Sequence, residues 1–499
     1  MKQNLLRTAA FLLAALMTVP IMNSCGGDAK TATETAPLND TASATEAVTI
    51  YPTNPASAKD SLPDGLDFGG KTFRIYNANQ SHQIYYEESE ELAGDVVNDA
   101  VMSRNIAVEE RLNITLQHDP YSDTWDSVAD SIRKLVMAGD STYDLFMGHQ
   151  TGVTQLLSDN CFVNAYELEY IDFDQPWWNN LYMNELSLGS DYRFLLAGDY
   201  FITALLNARV VYYNKQIFAD HFDNADGLYE EGINGKWTID RMAELIKAVY
   251  VDVNNNSKSD AEDKLGFVCY ATQASTDGFV YGTNIAFTTR DSDGFIELSM
   301  ISDDAVKLAE KLNDLFHLPG TYTGATGDQA TIFASGSTLF LGNGTFSTAT
   351  GLRDMEDDFG FLPHPKYDEA QENYHSLVHD TALLGCIPGS SANLDIAGAV
   401  IEALNAETYR IVTPAWYETA LKVKYARDDV SGQMIDIIHD SLTTNFIYAY
   451  NYALDSIGLI YRDLVTKNST DYASAVQKKL KSAENKLAAL VDVFHGANQ

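Results

Sequence analysis

The sequence predicts an α/β fold, because strand-like and helix-like segments alternate along the chain. A β-prone run at 71–76 is followed by a helical segment at 95–112, a strand at 113–117, a helix at about 125–138 and a buried strand at 143–147. Alternation of this kind is typical of a parallel sheet with helices on its faces. The chain has 499 residues, 45% of them hydrophobic, which predicts a globular body of two domains.

Each of these first elements has a local signal. The first strand follows a Gly-Gly turn. Apolar residues at helical spacing mark one face of the first helix, namely Val97, Val101, Val108 and Leu112. The second helix has the same pattern in Val128, Ile132, Leu135 and Val136. Gly139 and Asp140 then end it.

The same alternation continues to the end of the chain. Strand-like runs lie at 204–213, 266–270, 337–341, 359–362 and 382–387. Helical runs lie at 239–250, 303–316, 395–405, 415–426 and 432–441, and a charged amphipathic helix is expected at 473–493. No short-period repeat is visible, so a solenoid is not expected.

The N-terminus carries an export signal. Lys2 and Arg7 precede an apolar run that is too short to span a bilayer as a helix and that contains Pro20. The run ends in Ser24-Cys25-Gly26, which resembles the lipobox of bacterial lipoproteins. We therefore expect residues 1–24 to be a cleaved signal peptide and Cys25 to be lipidated. The alternative is an ordinary cleavable signal with an incidental cysteine.

Residues 25–66 are expected to form a disordered tether. The segment is rich in Thr, Ala, Ser and Glu and has almost no large apolar residue, so it buries too little surface to offset the entropy of ordering. No later stretch approaches about 20 uninterrupted apolar residues, so no second membrane segment is expected. The predicted location is extracytoplasmic, with the lipid on Cys25 as the only attachment to the outer face of the membrane.

Charge and cysteine content exclude several classes of function. A formal net charge of −37 argues against nucleic acid or anionic lipid as a partner and favours solubility, and the protein is expected to be a monomer. Besides Cys25 the chain has Cys161, Cys269 and Cys386, without a CxxC or Cys/His metal pattern. We expect these three to be buried as small hydrophobic residues, and one disulfide among them stays open.

Four stretches, in this order and spacing, resemble a known family. They are the segments at 143–150 (YDLFMGHQ), 211–218 (VYYNKQIF), 332–346 (IFASGSTLFLGNGTF) and 413–422 (TPAWYETALK). The set is similar to the maltose-binding-like extracellular solute-binding proteins of ABC importers, family 1. The resemblance covers most of 68–441.

The resemblance implies a two-lobed periplasmic-binding-protein-like fold (type II), with lobes joined by crossover strands and a ligand held in the cleft. The chain is expected to cross near 206–213, near 357–360 and near 412. Lobe 1 would then comprise 67–207 with 358–412, and lobe 2 would comprise 208–357 with 413–499. Closure around the ligand is expected to be a hinge motion.

Sugars offer hydroxyl edges and apolar C–H faces, so a sugar site needs aromatic rings as well as donors and acceptors. His149 and Gln150 follow a buried strand, at the edge where open α/β sheets bind ligands. The alternative for His149 is an ordinary loop residue whose ring is satisfied by protein groups, without ligand contact. Trp177 and Trp178 lie in a loop-like stretch and are candidates for the cleft, or alternatively for packing the domain surface.

The resemblance supplies the remaining candidates. Phe346 stands where the family usually has an aromatic ring, and Trp416 matches a stacking residue of sugar-binding relatives. Tyr417 beside it is a candidate for the cleft or the core. Asn207 and Arg209 lie on the first crossover strand, where polar side chains reach the cleft, and the alternative for Arg209 is a salt bridge between lobes.

A twelve-residue stretch, 252–263, has the oxygen spacing of an EF-hand-type loop. The predicted ligands of a structural Ca²⁺ are the side chains of Asp252, Asn254, Asn256, Asp260 and Asp263 and the backbone carbonyl of Lys258. Ser257 replaces the usual Gly and Asp263 the usual Glu, and both changes weaken binding. The alternative is a metal-free turn rich in Asn and Asp.

The sequence therefore predicts a lipid-anchored receptor that captures a neutral oligosaccharide and delivers it to the permease subunits of an ABC transporter. An aromatic rather than basic candidate set favours a neutral sugar. No HExxH, G-x-S-x-G, P-loop or GxGxxG motif occurs, so an enzyme is not expected. Two alternatives remain, a surface glycan-binding or sensory module without transport and, less favoured, a secreted glycosidase.

Overall fold

A computed structural model describes residues 55–270, 275–324, 327–420 and 429–497. The predicted signal peptide, Cys25 and the predicted tether up to residue 54 lie outside the described residues. Among the described residues, no helix is both long enough and apolar enough to cross a membrane.

The first part of the chain builds lobe 1, the layer around a four-stranded sheet. Its elements are β1 (Lys71–Asn77), α1 (Val96–Leu112), β2 (Ile114–Pro120), α2 (Val128–Met137), β3 (Leu145–His149), α3 (Gln150–Val153), α4 (Asn180–Leu186) and α5 (Thr203–Leu206). Short 3₁₀ helices accompany them at Gln80–Tyr85, Glu90–Leu92, Thr154–Asp159 and Ala165–Glu167. The predicted strand–helix alternation is confirmed here.

The middle of the chain builds lobe 2, the layer around a five-stranded sheet. Its first elements are β4 (Arg209–Asn214), α6 (Lys215–Phe222), α7 (Gly227–Ile233), α8 (Ile239–Val249), β5 (Leu265–Cys269), α9 (Ser275–Tyr281), β6 (Thr288–Arg290) and β7 (Ile296–Leu298). They are followed by α10 (Asp303–Phe316), β8 (Thr321–Thr323), α11 (Gln329–Ala334), β9 (Thr338–Thr345), the 3₁₀ helix Phe346–Leu352 and β10 (Phe359–Pro363).

The last part of the chain contributes to both lobes. Its elements are β11 (Ser376–Leu377), β12 (Leu383–Cys386), α12 (Leu394–Glu407), a π-helical turn (Thr408–Val412), α13 (Thr413–Ala420), α14 (Asp429–Asp440), β13 (Leu442–Thr443), α15 (Phe446–Ala449), the 3₁₀ helix Ile457–Leu459, α16 (Ile460–Thr466) and α17 (Tyr472–Ala497).

The two main sheets have different strand orders. The lobe 1 sheet has the order β12-β3-β1-β2, with β1 parallel to β2 and β3 and β12 antiparallel to β3. The lobe 2 sheet has the order β10-β4-β9-β5-β8, with β4 antiparallel to both neighbours. Helices cover these sheets, as their fully buried strands β3, β4 and β10 require.

The passage from lobe 1 to lobe 2 is a hinge of two paired segments. Ala208 forms an antiparallel bridge with Val378, and the amide of His379 donates to the carbonyl of Asn207 at 2.9 Å. The chain thus leaves lobe 1 just before β4 and returns just before β12. Residues 204–206, predicted as strand, are instead helical, since the Asn207 side-chain amide donates to the Thr203 carbonyl at 2.9 Å and ends α5.

The predicted second crossing near 357–360 is wrong. Residues Phe359–Pro363 form β10, which pairs with β4 inside the lobe 2 sheet. The chain joins the lobe 1 sheet only at β12, so the crossing lies after Leu377. A buried strand looks alike in either sheet, and sequence pattern does not show which partner it pairs with.

The C-terminal segment is not confined to lobe 2, in contrast to the predicted boundary at 413. Helix α14 packs on α7 and β10, and α16 packs on α9 and α10, all in lobe 2. Helix α15 between them packs on α4 of lobe 1. The Tyr450 hydroxyl donates to the Leu186 carbonyl of lobe 1 at 2.6 Å. This segment therefore connects the two lobes a further time.

The folded body begins before residue 67, the predicted end of the tether. Leu62 is buried, and the Asp60 carboxylate bonds Arg111 at 2.7 Å and Arg410 at 2.6 Å. Burial of Asp60 opposes its ionisation, but the two guanidinium groups lower its pKa to about 2. A polar segment can be ordered by a few specific ion pairs, which its composition does not reveal.

Cys269 and Cys386 are buried and Cys161 is partly buried, and all three are free thiols. Burial raises the pKa of each. Cys269 and Cys386 are small core residues, as expected, whereas Cys161 only packs against the core.

Candidate ligand-binding site

A cavity of about 300 Å³ opens where the two lobes meet. Its walls come from the Gln80–Tyr85 turn and α1 of lobe 1, from the hinge, and from β10, α13 and the 3₁₀ helix after β9. The residues that define its chemistry are Tyr85, Val97, Leu206, Phe346, Phe361 and Trp416. We call this cavity the aromatic pocket.

Two predicted residues, Phe346 and Trp416, meet in the aromatic pocket. The ring of Phe346 packs edge-on against Trp416 with centroids 5.8 Å apart and against Phe361 at 5.2 Å. Phe346 is held at the end of β9 by the capping box of Thr345 and Thr348. Phe346 is 7% exposed and Trp416 8%, and both line the cavity.

Two polar side chains at the wall of the aromatic pocket, those of Asp95 and Asn98, are engaged by backbone amides, and the Arg353 side chain also lines this wall. The Asp95 carboxylate caps α1 by accepting from the amides of Val97 at 3.0 Å and Asn98 at 3.1 Å. The Asn98 side-chain oxygen accepts from the amide of Ser89 at 2.7 Å. The pocket is therefore equipped mainly for apolar contact.

Tyr417 does not line the aromatic pocket. It is partly buried, and its ring packs edge-on against His439 with centroids 5.9 Å apart. Burial raises the pKa of the Tyr417 hydroxyl well above its usual value, and the negative charge of Asp199 raises it further. The structure thus gives Tyr417 a packing role.

Trp177 and Trp178 are core residues of lobe 1, which corrects their prediction as cleft residues. Trp177 is 0% exposed and Trp178 4%. Their indole N–H groups donate to the two carboxylate oxygens of Glu402, at 3.0 and 2.8 Å. Buried indoles require acceptors, and α12 supplies one. Burial of Glu402 raises its pKa to about 7.

His149 and Gln150 stand at the carboxyl end of β3 as predicted, but both are held by protein groups. The ring nitrogens of His149 lie 2.7 Å from the Thr381 carbonyl and 3.2 Å from the Asp123 carbonyl. Gln150 is fully buried, and its side-chain oxygen accepts from the Tyr182 hydroxyl at 2.5 Å. Both residues tie β3 to the hinge side of β12 and to α4.

Asn207 and Arg209 flank the hinge. The Asn207 side chain is used in capping α5. Arg209, the first residue of β4, is buried, and burial lowers its pKa while Tyr448, Asp277 and Asp380 oppose that shift. Arg209 therefore lies near charged and polar groups of α9, of the segment after the hinge and of the C-terminal segment.

A polar lobe junction surrounds Arg209, and sequence reasoning missed it. The Arg462 guanidinium of α16 bonds both carboxylate oxygens of Asp277 in α9, with 2.7 Å from Nε to Oδ1. Asp380 follows the hinge, and burial together with the charge of Asp277 raises its pKa to about 6. These residues lie far apart in sequence, and no local pattern connects them.

A stacked aromatic pair stands beside this junction. Trp125 and Tyr452 have ring centroids 5.8 Å apart and an interplanar angle of 22°. Trp125 is 45% exposed and Tyr452 47%. Trp125 comes from the loop before α2 and Tyr452 from the segment after α15, so the pair joins lobe 1 to the C-terminal segment.

The predicted calcium loop is closed by its own hydrogen bonds. The Asp252 carboxylate accepts from the amides of Asn256 at 3.2 Å and Ser257 at 2.9 Å. The Asp263 carboxylate accepts from the amides of Val253 at 2.9 Å and Asp260 at 3.1 Å.

The other predicted calcium ligands are also engaged. The side-chain amides of Asn254 and Asn256 donate to Asp260, and the Lys258 carbonyl accepts from the Tyr250 hydroxyl at 3.2 Å. Within the described ranges, no group of three or more His, Cys, Asp or Glu side chains is placed to hold a metal ion. This geometry is that of an Asx-rich turn, and calcium stays a prediction.

Comparison with known proteins identifies the fold. The family model described as "Bacterial extracellular solute-binding protein" matches residues 112–408. A search of curated proteins found no match.

Solved structures with low sequence identity to this chain have a similar fold. The sugar-binding protein MalE of Xanthomonas citri is 11% identical, with a TM-score of 0.56 over 85% of this chain and 99% of that one. The cyclic α-maltosyl-1,6-maltose binding protein of Arthrobacter globiformis is 13% identical, with a TM-score of 0.55 over 85% and 99%. A family 1 extracellular solute-binding protein of Bifidobacterium longum subsp. infantis is 14% identical, with a TM-score of 0.50 over 83% and 100%. The chain has the same two-lobed α/β fold as these structures.

Proposed function

Because this chain belongs to the bacterial extracellular solute-binding protein family, we propose that it is a sugar receptor of an ABC importer. Its ligand is a neutral oligosaccharide, captured between the lobes and released unchanged. The receptor works as a monomer, is anchored by lipid on Cys25 and delivers its ligand to the permease subunits.

The observation that carries the proposal is the aromatic pocket. Phe346 and Trp416 line a cavity of about 300 Å³ to which both lobes contribute. Rings at a lobe interface suit a ligand with apolar faces, and closure of the lobes would bury it. Two of the structures with this fold are sugar-binding proteins by name, which supports a sugar as the class of ligand.

The mechanism follows from the two-lobed construction. The lobes are connected at the Ala208–Val378 bridge, at the bond from the His379 amide to the Asn207 carbonyl and through the C-terminal segment, so small changes in backbone angles at these connections move one sheet relative to the other. A ligand that contacts Tyr85 of lobe 1 and Phe346 of lobe 2 at once stabilises the closed arrangement only.

A thermal-shift screen of the mature protein tests the proposal. The panel comprises malto-, cello- and xylo-oligosaccharides from disaccharide to tetrasaccharide. We expect one series to raise the melting temperature, and Trp416→Ala to weaken its binding by about 1–3 kcal/mol, the contribution of a lost stacking ring.

The matched control is Trp237→Phe. Trp237 is a buried indole of lobe 2 whose N–H donates to the Pro363 carbonyl at 2.9 Å, outside the aromatic pocket. This change should lower stability without altering affinity. Equal binding by wild type and Trp416→Ala would remove the aromatic pocket from the proposal, and no shift with any sugar would reject a sugar ligand.

Anchoring is tested separately. Mass spectrometry of the membrane-associated protein should find a lipidated Cys25 as its first residue. A protein that begins elsewhere or carries an unmodified Cys25 would leave the receptor without its proposed anchor.

A further inference from the structure

Asp60 contacts two helical elements that are far apart in sequence. Its side chain is 3% exposed. Both carboxylate oxygens accept from the Arg111 guanidinium at 2.7 Å, and Oδ2 also accepts from Nη2 of Arg410 at 2.6 Å. Arg111 lies in the last turn of α1, and Arg410 lies in the π-helical turn Thr408–Val412. The Asp60 carboxylate therefore joins α1 to this turn, and we call these three residues the N-terminal clamp.

The π-helical turn is a place where the register of the helix can change. The Thr413 amide donates to the Thr408 carbonyl, five residues back, whereas an α-helix bonds the carbonyl four residues back. Conversion of this turn to α-helix would rotate the residues after it by roughly 100° about the helix axis. Turns of this kind are rare inside helices and are frequent at functional sites. The direction of the Trp416 side chain thus depends on the groups that hold the turn.

Arg410 supplies bonds that hold the middle of the π-helical turn. Besides bonding Asp60, its guanidinium donates to the Ala58 carbonyl at 2.8 Å and to the Glu407 carboxylate at 2.6 Å. The guanidinium carbon also lies 5.9 Å from the centre of the Trp177 ring. Ala58 and Asp60 both precede β1, so the segment before the first strand fixes the turn from outside the helix.

The N-terminal clamp and the aromatic pocket are built on the same helical elements. Helix α13 continues directly from the π-helical turn and carries Trp416 into the wall of the pocket. Helix α13 also packs on α1, whose first turn lines the pocket with Val97. Phe346 meets Trp416 from lobe 2. A rotation of α13 against α1 would therefore separate the two rings.

We propose that Asp60 is a positioning residue of the aromatic pocket. By holding Arg410 beside Arg111, it keeps the π-helical turn in its register and so keeps the Trp416 ring against Phe346. Asp60 is not among the described residues that line the pocket, so it acts through the helix and not on the ligand. The consequence, which rests on the proposed function, is that the N-terminal clamp sets the affinity for sugar.

Fluorine NMR of protein labelled with 5-fluorotryptophan tests the positioning role without any ligand. The chain has five tryptophans, and Trp416→Phe identifies the resonance of Trp416. Asp60→Asn and Arg410→Met should each move that resonance, because the indole then leaves its place against Phe346. Trp237, which is fully buried in lobe 2, provides the internal reference, and its resonance should stay in place.

Titration calorimetry with maltotriose, cellotriose and xylotriose tests the consequence for binding. For the sugar that binds the wild-type protein, Asp60→Asn and Arg410→Met should each lower the affinity about ten-fold or more, as for loss of the Trp416 ring itself. The matched control is Glu231→Gln, which changes a carboxylate that the Arg241 guanidinium bonds at 2.8 Å in lobe 2. It alters a paired carboxylate of the same kind and should keep the wild-type affinity and the wild-type Trp416 resonance.

The outcomes are distinct. A displaced Trp416 resonance together with lower affinity in both clamp variants supports the positioning role. A Trp416 resonance that stays in place in both variants overturns it, since Asp60 would then contribute to stability alone. A displaced ring with unchanged affinity also overturns it, because binding would not depend on the position of the ring. If no sugar binds the wild-type protein, the proposed function is rejected, and the Trp416 resonance by itself decides whether Asp60 positions the ring.

Discussion

The guanidinium of Arg462 donates hydrogen bonds to both carboxylate oxygens of Asp277, with Nε 2.7 Å from Oδ1. This ion pair connects the C-terminal segment to α9 of lobe 2. Asp277 is 2% exposed and the Arg462 side chain 22%. Tyr450, further back in the same segment, bonds lobe 1. The C-terminal segment thus holds both lobes near the hinge, and its ion pair contributes to the stability of the whole body.

Arg462→Met is expected to lower the free energy of unfolding by about 3 kcal/mol, because it leaves the Asp277 carboxylate buried and uncompensated. Asp277→Leu combined with Arg462→Met should restore part of this loss, since no buried charge then remains. Urea unfolding of the single and double variants measures both values. Lys467→Met, which removes an exposed pair with Asp463, is the control and should cost under about 1 kcal/mol.

Asp60 should make the protein sensitive to acid. Its pKa is about 2 in the folded protein against an ordinary value of 3.8, because Arg111 and Arg410 outweigh its burial. A lowered pKa stabilises the folded state above pH 3.8, and this contribution is lost as the pH falls through about 2. Asp60→Asn should therefore cost about 2 kcal/mol at pH 7 and little at pH 2.

Urea unfolding at pH 7, 4 and 2 measures this effect. The exposed Asp64→Asn is the matched control and should change stability little at any of these values. An equal loss for Asp60→Asn at every pH would contradict the ion-pair account.

Glu402 should make the stability of the fold depend on pH in the opposite direction, with less stability at high pH. Its pKa is about 7 in the folded protein against an ordinary value of 4.5, because burial outweighs the hydrogen bonds from Trp178 and Trp177. A raised pKa favours folding below pH 4.5, and this contribution is lost as the pH rises through about 7.

Glu402→Gln imitates the protonated side chain and removes this dependence. We expect the variant and the wild type to have similar free energies of unfolding at pH 5. At pH 9 the variant should be more stable by on the order of 2 kcal/mol. Chemical denaturation across this range provides the measurement. A constant difference between the two proteins would show that Glu402 does not titrate there.

The loop at 252–263 gives a metal prediction. Calcium binding requires the Asp263 carboxylate to exchange its bonds to two backbone amides for the ion. We therefore expect weak binding, on the order of 10⁻⁴–10⁻³ M, in calorimetry of the chelator-treated protein. Asp252→Asn should weaken it further. A titration without heat and without a melting shift would identify the loop as a metal-free turn.

Local pattern determined much of the fold. The helices predicted at 239–250 and 303–316 are observed at Ile239–Val249 and Asp303–Phe316, because an amphipathic face records burial every three or four residues. The ordered stretches that resemble the family were sufficient to indicate its two-lobed fold. They also pointed to Phe346 and Trp416, which the structure brings together in one pocket.

Tertiary structure alone decided where the other aromatic and charged residues lie. The sequence predicts Trp178 as a cleft residue, but its indole N–H donates to the carboxylate of Glu402 in the core, and Glu402 is distant in sequence. Strand β10 could be assigned to its sheet only through its pairing with β4. The grouping of Trp125, Asp380 and Tyr452 likewise depends on three distant segments that meet at the hinge. Periodicity records whether a residue is buried, but the partner that satisfies a buried polar group is set by packing between segments far apart in the chain.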